Sequence, residues 1–181
     1  LRNRGCELVK PVIAPSDEKI FNADELYNPA VALKLNDNEK IVANDVRFNK
    51  NDAFIYVLTG PNRGGKSVIT CALGLCAAMM QLGMFVPAKY AEISPVDAIF
   101  PHFPTGADDT IDKGRLGEEC ARLGEIFDSV TANSLVLLDE SFSSTGSYEG
   151  SYIAAEVLSG ISIVGCRCLF ATHLHELASE I

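Results

Sequence analysis

Glycines at 60, 64 and 65, followed by Lys66 and Ser67, constrain this chain more than any other stretch. The segment Gly60-Pro61-Asn62-Arg63-Gly64-Gly65-Lys66-Ser67 has the spacing G-x-x-x-x-G-K-S. The run Phe54-Ile55-Tyr56-Val57-Leu58 leads into it, and apolar residues from Val68 to Val86 follow. That order predicts a strand, a phosphate-binding loop and a helix. Glycine has no Cβ, so the backbone N–H groups can turn inward around closely spaced anionic oxygens. The helix opening at Lys66 points its positive end at the same place. Lys66 is placed to reach the β- and γ-phosphates of a nucleotide, and the Ser67 hydroxyl to ligate Mg²⁺. A nucleotide triphosphate with Mg²⁺ is therefore expected, held by Gly60 to Ser67 with Val68 behind them. The competing reading is a glycine-rich turn that matches by chance.

A 181-residue chain with 48% hydrophobic residues is enough for one domain with a sizeable core. Its formal net charge of −9 excludes strong non-specific nucleic-acid binding, which needs Lys and Arg to displace counterions. Any contact with DNA is expected from segments outside this chain. Six cysteines without a C-x-x-C pair suggest buried, reduced thiols and a cytoplasmic location. Val68 to Val86 carries no charge and is long enough to span a bilayer, but Thr70, Gln81 and two glycines favour a buried helix, so no membrane partner is expected. The chain opens without Met and closes in a helical pattern, so a piece of a longer protein is expected.

Residues 1–39 read as a lead-in, broken by Pro11, Pro15 and Pro29. Ile41 to Phe48 reads as a strand that turns at Asn49–Asp52 into Phe54–Leu58, predicting an antiparallel pair at a sheet edge. Short strands follow near Ala91–Ile93 and Asp97–Phe100, then a loop over 101–113 in which His102 is expected at the surface. Leu116, Cys120, Leu123, Ile126, Phe127 and Val130 predict an amphipathic helix with Glu118, Glu119, Arg122 and Glu125 on its solvated side.

Leu135-Val136-Leu137-Leu138 then runs into Asp139-Glu140, a buried parallel strand with acids at its carboxyl end, the Walker B pattern. Ser141 to Gly150 reads as a loop and Tyr152 to Ile161 as a helix, closed by Gly160 as a cap. The strand Cys168–Ala171 ends at Thr172-His173. In open parallel sheets ligands bind beyond the carboxyl ends of the strands, where all this polar chemistry falls. Asp139 is expected to orient the Mg²⁺ shell, Glu140 to polarise an attacking water and His173 to sense the γ-phosphate. The fold class predicted is α/β of P-loop NTPase type: a mostly parallel sheet flanked by helices, with an antiparallel edge near the N-terminus.

Taken together these segments resemble the ATPase domain of the MutS family. The resemblance rests on TGPNRGGKS at 59–67, Val86-Pro87-Ala88, Gly106-Ala107-Asp108-Asp109, LVLLDE at 135–140, Thr145, Tyr148 and Gly150, and FATH at 170–173 with Glu176-Leu177. It covers about residues 40–181, the expected ATPase domain, and implies Mg²⁺-dependent ATP hydrolysis by Asn62, Lys66, Ser67, Asp139, Glu140 and His173. It also implies a second ATPase domain that pairs with the first as a homodimer, with nucleotide state driving remote DNA-clamping arms. The family's S-T-F-x-x-E signature is altered: with its glutamate on Glu119, Gly114 and Arg115 stand where Ser-Thr are expected and Leu116 where Phe is. Ile41 stands where an aromatic ring would stack on adenine, so apolar packing is implied instead. An ABC-type ATPase for transport or chromosome handling, and a nucleotide-binding switch with little hydrolysis, remain the other readings.

Overall fold

The computed structural model describes residues 1, 6–36, 38–49, 54–61, 63–104, 114–143, 145–174 and 177. In chain order its elements are β1 (Val12–Ile13), β2 (Phe21–Leu26), α1 (Pro29–Lys34), β3 (Asn44–Phe48), β4 (Ile55–Thr59), α2 (Lys66–Gln81), β5 (Tyr90–Ile93), β6 (Ile99–His102), α3 (Arg115–Ser129), β7 (Leu135–Asp139), α4 (Ser147–Val164) and β8 (Arg167–Thr172).

Four strands, in the order β4-β8-β7-β6, make a wholly parallel sheet. β7 is buried along its length, as a strand covered on both faces must be. Leu135 and Leu137 point to one face, where Ala72, Leu73, Cys76 and Ala77 of α2 cover them. Val136 and Leu138 point to the other, against Leu123 of α3 and Ala154, Leu158 and Ile161 of α4. The period of two along the strand thus assigns its side chains alternately to two cores. α2 runs from Lys66 because Ala, Leu and Met sustain a helix, and it stops at Gln81, before Gly83 with φ 72°. Among the described residues no helix is long and apolar enough to cross a membrane.

A second sheet has the order β1-β5-β2-β3. Here the expected pairing of the strand at 41–48 with the one before the glycine-rich loop is corrected. β3 pairs antiparallel with β2, Phe21 opposite Phe48 and Ala23 opposite Val46, whereas β4 pairs parallel with β8. The reason is packing. Phe48 stands edge-on to both Phe21 and Tyr56, with centroids 6.3 and 4.7 Å apart, so β3 meets β4 through rings across the core. Much of the expected turn at 49–52 lies outside the described residues. The stretch before residue 40 also holds more than its prolines suggested. β2 is central to its sheet, and Asn28 caps α1 by accepting from the N–H groups of Ala30 and Val31.

The two sheets are tied by Arg167. It is 1% exposed, and its guanidinium donates to the carbonyls of Ile20 at 3.0 Å, Ser94 at 3.2 Å and Pro95 at 3.2 Å. Burial draws its pKa down to about 10. Two boundaries near the C-terminal half also differ from expectation. α4 starts at Ser147 and continues through Gly160 to Val164, and Gly165, in left-handed backbone, is its cap. Gly160 instead leaves room for Phe127 of α3, whose ring would lie 3.0 Å from an added Cβ.

Candidate functional site

β4, β8 and β7 are neighbours in parallel register, with Thr59 opposite Thr172 and Asp139 opposite Ala171. Their carboxyl ends therefore lie side by side. The topology brings the glycine-rich loop, Asp139-Glu140 and His173 to one edge, as the sequence predicted.

The loop is built on tight backbone. Gly65 has φ 86° and precedes α2 without a side-chain cap, which leaves the first helical N–H groups free to face an anion. A Cβ on Gly64 would lie 2.9 Å from the Pro61 carbonyl, so a side chain there would open the turn. Arg63 takes a left-handed φ of 66° and is exposed, as are Pro61, Ser67 and Val68. Asn62 lies outside the described residues.

Lys66 is 7% exposed, folded back over the loop. Its Nζ donates to the carbonyls of Gly60 at 2.9 Å and Pro61 at 3.2 Å, and lies 3.2 Å from Glu140 Oε1. The other Glu140 oxygen bonds His173 Nδ1. Burial pushes the Glu140 carboxyl up, but the bonds from His173 and Lys66 outweigh it and hold the pKa below the usual value. Asp139 shifts the opposite way. Burial raises it, against a hydrogen bond from Ser67, and Glu140 adds repulsion. Asp139 Oδ1 is buried and has no partner among the described residues. An orphaned carboxylate oxygen beside a hydroxyl suits a hard divalent cation that also takes phosphate oxygens, so Ser67 and Asp139 fit Mg²⁺.

Two cavities meet at the loop. A polar one of about 520 Å³ is lined by Arg63 to Val68, Glu140, Ser143 and His173. An apolar one of about 600 Å³ is lined by Ile41 with Tyr27, Val31, Val42 and Leu58, and reaches Gly60, Pro61, Gly64, Gly65 and Lys66. Ile41 is thus at the wall of a cavity beside the loop. Tyr27 and Val31, from the stretch that read as a lead-in, share that wall, and no motif marked them.

Other expectations change. His102 is not a surface residue: it is 2% exposed, with Nδ1 2.8 Å from Ser141 Oγ. Burial lowers its pKa, with Arg122 adding to the effect. Its place at the end of a parallel strand was the available signal. On α3 the expected faces exchange two residues. Cys120 is exposed, while Glu119 is partly buried and its carboxylate accepts from the Phe142 N–H at 2.8 Å. Glu119 serves a backbone donor there that no hydrocarbon could satisfy. Gly114 caps α3 without a side-chain bond, and Arg115 is the first residue of that helix. Tyr148 is 77% exposed and Gly150 is buried. Gly106 to Asp109 and Glu176 lie outside the described residues. Cys76, Cys166 and Cys168 are buried thiols, whereas Cys6 and Cys71 are half-buried.

The family model described as MutS domain V matches residues 56–181. The chain belongs to the MutS family. The match starts at Tyr56 in β4 and takes in the glycine-rich loop, β7 and β8. Among MutS relatives, the DNA mismatch repair protein MutS of Wolbachia pipientis wMel is 40% identical over 172 residues, which are 93% of this chain and 19% of that protein. MutS of Prochlorococcus marinus (strain MIT 9301) is 38% identical over 174 residues, again 93% of this chain and 19% of the relative. The DNA mismatch repair protein msh-2 of Neurospora crassa is 34% identical over 174 residues, 94% of this chain and 18% of the relative. This MutS-family chain therefore spans about a fifth of the length of the curated relatives it matches.

Proposed function

We propose that this domain V binds and hydrolyses ATP with Mg²⁺ and is a P-loop ATPase of a MutS-like protein acting in DNA repair or recombination. The observation that carries the proposal is the convergence of Lys66, Glu140 and His173 on one polar cavity, next to an apolar cavity walled by Ile41. A nucleotide needs that pair of environments: cationic and N–H-rich for the phosphates, apolar for the base.

In this reading Lys66 and the N-terminus of α2 hold the phosphates, with Gly60 to Ser67 wrapping them and Val68 backing the loop. Ser67 and Asp139 hold Mg²⁺, which neutralises phosphate charge when bound. Glu140, bonded to His173 and paired with Lys66 before nucleotide enters, orients the attacking water and accepts its proton. Entry of the triphosphate draws Lys66 away from Glu140, so binding itself frees the carboxylate for that task. His173 reports the γ-phosphate to Glu140. A second ATPase domain pairs with this one, and their nucleotide state moves DNA-clamping segments outside this chain, in the cytoplasm. The family match favours this reading over a transport ATPase.

The test is titration calorimetry of the intact protein with Mg·ATP, alongside steady-state phosphate release. Saturable Mg-dependent binding with turnover is the expected result. A folded sample that binds no nucleotide would overturn the proposal. Binding without turnover would favour the switch reading instead.

A further inference from the structure

The strand end that carries Glu140 is not relaxed. Glu140 has φ 50° and Phe142 has φ 65°. Residues with a Cβ hold left-handed backbone only where the surroundings over-determine it. The Glu140 N–H is held by the Ala171 carbonyl of β8 at 2.8 Å, and further restraints on the turn come from two other elements. Glu119 on α3 accepts from the Phe142 N–H at 2.8 Å. His102, at the end of β6, bonds the Ser141 hydroxyl at 2.8 Å. Arg122, on the same helix as Glu119, then reaches back to the Phe103 carbonyl with both terminal nitrogens at 3.4 Å. The end of β6, the turn after β7 and helix α3 are thereby joined in a closed brace, and the Phe142 ring is fully buried in the core cluster with Leu123, Leu138 and Ala154.

We propose that Glu119, seconded by His102, is a positioning residue for Glu140. A backbone that relaxed toward the extended region at 140–142 would swing the Glu140 carboxylate away from Lys66 and His173. The brace prevents this without touching the substrate. Glu119 therefore acts on the rate of the chemical step and hardly on nucleotide affinity, since the loop and Lys66 lie outside the brace. This inference rests on the reading of Glu140 as the group that orients water for ATP hydrolysis.

The test compares kcat for phosphate release with the Kd for Mg·ATP in the intact protein. Glu119→Ala is expected to lower kcat about 10- to 100-fold while Kd stays within about threefold. Glu119→Gln keeps a carbonyl acceptor for Phe142 and is expected to hold kcat within about threefold of wild type. Glu119→Ala combined with Glu140→Gln is expected to fall no further than Glu140→Gln alone, because the brace acts through that carboxylate. A wild-type kcat in Glu119→Ala, equal losses in kcat and affinity, or an additive loss in the double variant would each overturn the proposal. Should Glu119→Ala not fold, Ser141→Ala decides, since it removes the His102 bond for the loss of one oxygen. Its kcat is expected to drop about three- to tenfold at unchanged Kd, and an unchanged kcat counts against the brace. If the wild-type protein binds Mg·ATP but never hydrolyses it, the functional reading fails and takes this inference with it.

Discussion

Lys66 Nζ and Glu140 Oε1 face each other across 3.2 Å, the cation from the start of α2 and the carboxylate from the end of β7. Each is mostly buried, and each has a second set of partners: loop carbonyls for the lysine, His173 for the glutamate. An anion entering the polar cavity competes for Lys66 directly. The pair therefore joins binding to the state of the carboxylate.

Glu140→Gln separates the two. The amide keeps the shape but cannot accept a proton from water. Turnover is expected to fall by at least about 100-fold while Mg·ATP still binds within about threefold of wild type. Phosphate release and calorimetry on the same sample check this. Unchanged steady-state hydrolysis would remove Glu140 as the water-orienting group.

Gly150, in the first turn of α4, approaches the backbone just after Glu140. A Cβ there would lie 2.9 Å from the Phe142 carbonyl oxygen, a backbone atom that cannot swing aside. Gly150→Ala gains about 1 kcal/mol of helix propensity in α4 but forces the turn outward, for a net loss of about 1–2 kcal/mol. Equilibrium urea unfolding measures the loss. A more stable variant would show that the turn yields freely.

Some of this was readable from the chain and some was not. The run Leu135–Asp139 and the segment from Phe54 to Ser67 announce themselves because hydrophobic period, glycine spacing and polar strand ends are local properties. The burial of His102 and the inward turn of Glu119 are not local. They are set by partners 39 and 23 residues away, and the helical period alone put Cys120 where Glu119 belongs. β3 misled for a related reason. A short turn favours pairing with the next strand, but Phe48 finds Phe21 and Tyr56 by going to the other sheet. Residues before 40 form a sheet whose partner, β5, lies beyond α2, so no window of sequence contains the pairing.

Asp97 gives a pH dependence away from the site. Its slight burial raises the carboxyl, but bonds from Thr131 and from Ser134, at 2.7 Å, outweigh this and lower the pKa from its ordinary 3.8. A depressed folded pKa means that the contribution is present above 3.8 and is lost as pH falls through the folded value. Asp97→Ala is expected to cost about 1 kcal/mol at pH near 7, since solvent screens this exposed group. The difference from wild type should shrink in the acid. Urea midpoints for both proteins, taken at neutral pH and below the ordinary aspartate range, measure it. A gap that widens in acid would contradict the sign.

The charge balance leads to a fourth expectation. With a formal net charge of −9, the isolated chain should bind duplex DNA negligibly at physiological salt. A gel-shift titration tests this. Tight, salt-sensitive binding would place a DNA contact inside domain V itself.

Arg167 roots β8 at the end far from the site, where its guanidinium grips carbonyls from β5's flank and from the residue before β2. β8 is also flanked by β4 and β7 in the parallel sheet. A strand anchored at its base cannot slide along its own axis without surrendering those carbonyls. Its tip, which leads into His173, is held as well, with Thr172 opposite Thr59 and Ala171 opposite Asp139. β8 is thus a fixed post between the two sheets, and His173 stands on a strand end whose height is set from the far side of the molecule.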